Sequence, residues 1–173
     1  MTKKTSTVLA TALISIWVFA GCVRYNVAEP LNRFSSPEMG TTSGNEITVK
    51  PGSTWFAEGE YENFVLTGQA LTSDNAEAAL LFHTDGKSGY EVMFRNGPID
   101  GTRKSGSLAS VRNLYRSLAE DGKWFDFEIA VRGHNISVAI NDTAVICYTE
   151  PEHPYRTKEY AGHLLSRGSI ALM

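Results

Sequence analysis

Two cysteines among 173 residues are too few for a disulfide framework, and they stand far apart, at Cys22 and Cys147. Basic charge is also scarce. Sixteen Lys and Arg face 19 Asp and Glu, for a formal net charge of −3. An acidic chain without basic clusters argues against nucleic acid as a partner. A long apolar run is missing as well. The stretch from Val8 to Ala20, interrupted by Thr11 and Ser15, falls short of the roughly 20 residues that a membrane-spanning helix needs. There is no internal repeat and no low-complexity block.

What the N-terminus does have is a short basic head, Lys3 and Lys4, an apolar stretch and small residues before Cys22. That order describes a secretory signal over residues 1–21. Phe19-Ala20-Gly21-Cys22 resembles a bacterial lipobox. The resemblance implies cleavage before Cys22, a diacylglycerol on its sulfur and acylation of the new amine, enough acyl chain for stable attachment to a lipid bilayer. Val23 rather than Asp follows, which points to the outer membrane of a Gram-negative envelope, or at least its periplasmic face. With Cys22 acylated, Cys147 has no partner in the chain. Its apolar surroundings, AVICY, predict a buried, inert thiol.

Residues 22–45 are rich in Ser, Thr, Gly and Pro and predict a flexible tether behind the lipidated cysteine. From residue 46 to 173 the signal is strand. EITV, TWFA and NFVLTGQALT are short, β-branched or aromatic runs bounded by turn residues. AALLFH and GYEVMF flank TDGKSG, a hairpin pattern. In the second of these, Tyr90, Val92 and Phe94 share one face, and Glu91, Met93 and Arg95 the other. WFDFEIAVR, ISVAI and TAVICY repeat the alternation. One stretch, LASVRNLYRSLAED, spaces its apolar residues as a helix would, or is a long structured loop. Period two dominates, so the expected fold is an all-β domain of two antiparallel sheets, a sandwich or jelly roll. The polar faces bearing Glu91 and Arg95, or Asp126, Glu128 and Arg132, are candidates to line a concave ligand-binding sheet.

AALLFHTDGKSGYEVMFRNG, the long stretch from Gly101 to Pro151 and GSIAL resemble, in order and spacing, the 3-keto-disaccharide hydrolase domain, also described as a 3-keto-glucoside 1,2-lyase and 3-keto-2-hydroxy-glucal hydratase domain. The resemblance runs from about Asn63 to Met173 and implies a concanavalin A-like jelly roll. His83 stands where members usually carry Arg. Members also continue past the position of Met173 into a histidine and a closing strand, so an open sheet edge is expected unless another segment fills it.

The chemistry implied is cleavage of 3-keto-glycosides, or hydration of the glucal formed. A C3 ketone acidifies the C2 proton, a base removes it, and the enolate expels the C1 aglycone. The carboxylate-pair logic of ordinary glycosidases need not apply. A base, a charge stabiliser at the C3 oxygen and an acid for the departing oxygen are required. Glu91 is the first candidate for the base and His83 the second. Arg95, Lys104 and Arg112 are candidates to meet enolate charge, with Arg112, Trp124 and Asp126 as substrate contacts. A divalent metal is left open: His153 and His163 could join Glu91 as ligands, although their spacing matches no compact metal motif. Each has a structural alternative, such as a satisfied histidine at a strand end for His83, a solvated loop for Lys104 and a core aromatic for Trp124. The same scaffold could serve as a non-catalytic carbohydrate-binding module, or as a surface interaction protein.

Overall fold

Side chains of alternating character force strands to pair where one face can be buried, and that alternation builds the molecule. The computed structural model describes residues 13–16, 27–30, 34–35, 40–43, 46–97 and 101–173, with side chains from Ile47 onward. Thirteen strands result: β1 (Leu13–Ile16), β2 (Val27–Pro30), β3 (Phe34–Ser35), β4 (Gly40–Ser43), β5 (Glu46–Val49), β6 (Trp55–Ala57), β7 (Phe64–Ala70), β8 (Ala78–Thr84), β9 (Tyr90–Phe94), β10 (Phe125–Arg132), β11 (Asn135–Ile140), β12 (Thr143–Thr149) and β13 (Ser169–Leu172). Sheet one runs in the order β12-β11-β10-β7-β1-β2 and sheet two in the order β3-β6-β13-β8-β9, with β4 and β5 as a separate hairpin. Every pairing is antiparallel.

The inner faces meet as the alternation predicts. Phe64, Leu66 and Ala70 of β7, Phe125, Phe127, Ile129 and Val131 of β10, and Ile136, Val138 and Ile140 of β11 are buried. Against them lie Leu80 and Phe82 of β8, Tyr90, Val92 and Phe94 of β9, and Ile170 and Leu172 of β13. Phe82 stacks on Tyr90 at 5.3 Å, and Phe94 meets Phe127 at 5.1 Å. Truncating one such ring to Ala costs about 3–5 kcal/mol in a packed core. This is a jelly roll.

Three details bear on the sequence expectations, and of these the exposed Cys147 is the one that departs from them. The stretch from Leu108 to Asp121 is a structured loop, and the 3₁₀ turn Lys158–Tyr160 is the only helical element among the described residues. Leu108 and Arg112 bond each other's backbone in a tight turn, Ser110 has φ +59°, and Tyr115 and Leu118 stay exposed, so helical spacing finds no apolar groove to fill. Cys147 is exposed rather than buried, because Val145, Ile146 and Tyr148 take the inward positions around it. The third concerns the predicted signal, whose residues Leu13–Ile16 lie along the edge of β7, Leu13 opposite Thr67. Cys22 and much of the predicted tether lie outside the described residues.

Candidate functional site

The outer face of sheet two carries the site. Ala79, Leu81, Met93, Ala109 and Ala171 form a small apolar floor there, with Phe56 beside it. The sheet is extended past β9 by a ribbon from Ser105 to Ala109. Its backbone bonds Arg95, Met93 and Glu91 at 2.9–3.0 Å. Gly106 lets this ribbon lie close against β11 and β12 of sheet one. Its φ is +89°, and a Cβ there would come within 2.7 Å of Val145 and 3.0 Å of Ile140.

Above the floor lies a cavity of about 570 Å³, lined by the Val49–Thr54 segment and by Glu77, Ala79, Glu91, Met93, Arg103 and Met173 among others. That size is in the range of small-ligand pockets. Glu91 reaches it because its odd register on β9 points outward. Burial pushes its carboxyl pKa above the ordinary value, Arg103 opposes this, and Glu159 adds to the rise. Arg103 adopts a left-handed backbone, φ +75°, that few non-glycine residues tolerate. Its guanidinium donates to Ser110 Oγ at 2.9 Å and to the Tyr160 hydroxyl at 2.8 Å, and lies 5.5 Å from the Tyr160 ring centre. His163 is buried, its Nε2 3.9 Å from Glu91 Oε1, and its ring meets Tyr160 edge-on at 4.9 Å. Burial lowers the His163 pKa, and the charges of Arg156 and Arg103 lower it further against the Ala109 carbonyl. The arrangement is therefore a carboxylate of raised proton affinity and a fixed cation lining one apolar-floored cavity, with a buried imidazole of lowered proton affinity beside the carboxylate.

The residues nominated from sequence scatter otherwise. His83 is not beside Glu91. At His83 the pairing of β8 with β13 shifts register, its φ is +52°, and the extra residue breaks the alternation that would have turned it outward. Its ring packs 5.9 Å from Phe64 and 5.4 Å from Phe82, Nδ1 accepts the Ser166 N–H at 3.1 Å, and Nε2 lies 3.0 Å from the Glu62 carbonyl. Both nitrogens are committed to backbone, so it is a structural histidine. Lys104 is buried with its ammonium donating to the Gly97 carbonyl. Arg95 lies beside Gly101, and Arg112 lies 5.6 Å over the Tyr148 ring; neither lines the cavity. Trp124, 44 % exposed, lies just before β10, and Asp126 is on β10 of sheet one, where it accepts from Gln69 at 2.9 Å in a separate depression. His153 is exposed and apart from Glu91, and no cluster of three or more His, Cys, Asp or Glu able to hold a metal occurs among the described residues. Glu91 and His163 are two donors without a third among the described residues. Arg103 and Tyr160 were missed because nothing local in the sequence links a loop arginine to a tyrosine that far along the chain.

The 3-keto-alpha-glucoside-1,2-lyase-like domain family matches residues 24–173. The chain belongs to this family. No curated protein matches it. Among solved structures, two proteins from Parabacteroides distasonis designated glycosyl hydrolases share the fold. One has a TM-score of 0.66 at 11% identity, covering 78% of this chain and 76% of that one. The other has a TM-score of 0.64 at 17% identity, covering 80% and 83%. The carbohydrate-binding module CBM66 from Bacillus subtilis aligns over 95% of this chain and 87% of its own, with a TM-score of 0.50 at 13% identity. At these identities the likeness is one of fold.

Proposed function

We propose that this lyase-like domain cleaves 3-keto-glycosides in the Glu91 cavity by removing the C2 proton and eliminating the C1 aglycone. The observation that carries the proposal is Glu91 itself, a half-buried carboxylate with a raised proton affinity facing the Arg103 guanidinium across a cavity large enough for a keto-sugar. Glu91 takes the C2 proton, and its raised pKa brings it closer to the acidity of its substrate. The electron pair moves onto the C3 oxygen, where Arg103 meets the enolate charge. Ser110 and Tyr160 hold that guanidinium in place, so little reorganisation is needed as charge develops. The enolate then collapses, breaking the C1–O bond; the departing oxygen takes a proton from solvent and leaves as an alcohol, and Glu91 returns the C2 proton to solvent. The sugar product is the 2-hydroxy-3-keto-glucal. Family membership and the sugar-related designations of the structural neighbours support a carbohydrate as ligand.

The experiment is release of a chromogenic aglycone from a 3-keto-glucoside by the wild type and by Glu91→Gln. Loss of a general base lowers the rate by about 100-fold or more. A folded Glu91→Gln variant that keeps full release overturns the assignment. Saturable sugar binding without release by the wild type would instead support a carbohydrate-binding module. We also take the domain to be held at the cell envelope through acylated Cys22, so a Cys22→Ser chain should leave the membrane fraction; continued membrane association would contradict the anchor.

A further inference from the structure

A buried ionic network that touches no substrate underlies the same site. Glu150, at the end of β12, is 8 % exposed and accepts the Tyr90 hydroxyl and the Leu165 N–H. Arg156 lies 3.5 Å from the same carboxylate and donates to the hydroxyls of Tyr90 at 2.8 Å and Tyr148 at 2.9 Å. Its Nε donates to the His163 carbonyl at 2.8 Å, and its guanidinium lies 5.8 Å from the Tyr90 ring centre. Arg156 and Leu165 thus bracket the strap that carries Tyr160 and His163. Tyr90, the third partner, is the neighbour of Glu91 on β9. A buried ion pair is weak evidence for net stability, since desolvation offsets much of its attraction. Its geometric effect is clearer, because Arg156 and Leu165 tie the strap to Glu150, Tyr148 and Tyr90, the last of these on the strand that bears the proposed base.

We propose that Glu150 and Arg156 are positioning residues of the Glu91 site, locking the strap of residues 156–165 so that His163 and Tyr160 stay against Glu91 and Arg103. The inference rests on the Glu91 cavity being the reactive one. His163 is faced by Glu91 and Tyr90 from β9, by Tyr160 on its own strap, by the Ala109 carbonyl of the ribbon, and by the charges of Arg103 and Arg156. Removing Arg156 deletes one of these charges and lets water reach the ring. Both changes move its proton affinity the same way.

The test is an NMR titration of the histidine C–H signals in the full chain, with thermal melts and, in parallel, turnover of the 3-keto-glucoside. In Arg156→Ala the His163 titration is expected to move upward toward the ordinary 6.5, while that of His83, which Arg156 does not touch, stays in place. Turnover should show kcat down about tenfold or more with KM within about twofold, the sign of an interaction made in the transition state. If Arg156→Ala does not fold, Tyr148→Phe and Arg156→Lys loosen the same guanidinium more gently and are expected to shift His163 in the same direction. A folded variant in which His163 titrates as in the wild type overturns the lock. If the wild type releases no aglycone, the function fails, and the His163 titration still decides the positioning.

Discussion

Glu91 is half-buried, and the burial of its carboxyl has a cost that can be measured. A carboxyl whose folded pKa is raised binds its proton more tightly folded than unfolded, so its contribution to stability falls as pH rises from the ordinary value of 4.5 through the raised one. The Glu91→Gln variant should therefore be more stable than the wild type near neutrality, with the difference closing toward acid. His83 and His163 act in the opposite sense. Burial lowers both, the unfolded chain binds more protons than the folded one below about pH 6.5, and the wild type should lose stability as pH falls through that value. Urea midpoints from pH 5 to 8 for both proteins check the two signs, and a Glu91→Gln midpoint below that of the wild type at neutral pH would contradict the first. Strand parity was enough to aim Glu91 outward from sequence. The same parity failed at His83, because a single bulged residue inverts it and no side-chain pattern announces a bulge.

Among the elements, strands were legible and loops were not. Glu46–Val49, Trp55–Ala57 and the hairpin of β8 and β9 follow β-branched and aromatic alternation that needs only a core to pack against. The stretch from Leu108 to Asp121 has helical spacing, yet its conformation is set by the Ser107 and Asn113 side chains accepting from the Leu114 and Ser110 backbone N–H groups, and by pairing of the preceding ribbon with β9. That ribbon depends on one glycine. Gly106→Ala adds both a left-handed strain and a Cβ 2.7 Å from Val145, so it should destabilise the domain by about 2 kcal/mol or more, read as a lower urea midpoint. An unchanged midpoint would mean that the ribbon does not sit against β11 and β12 as described. The strap of residues 156–165 was invisible for a related reason. Its partners, Tyr90, Tyr148 and Glu150, come from two strands, and only the folded sheets bring them to Arg156.

Taken whole, the molecule divides its labour between the faces of its sheets. The inner faces hold the aromatic core, and the outer face of sheet two holds the cavity, floored by small residues and Met93 and flanked by the charges of Lys50, Glu77, Glu91 and Arg103. The family pattern and the two-sheet architecture could be read from the order of motifs, because both rest on features spread over most of the domain. Of the site, Glu91 and His163 were legible as candidates, but Arg103 and Tyr160 were not, since they reach Glu91 and each other only through tertiary packing. In the proposed reaction Glu91 removes a proton from C2 of a 3-keto-glycoside. The most direct measurement follows the C2 proton by NMR in deuterated solvent, for the wild type and for folded Glu91→Gln at equal concentration. Rapid loss of the C2 signal with the wild type, and loss no faster than in buffer with the variant, is the predicted result. Equal loss with both proteins would contradict the claim.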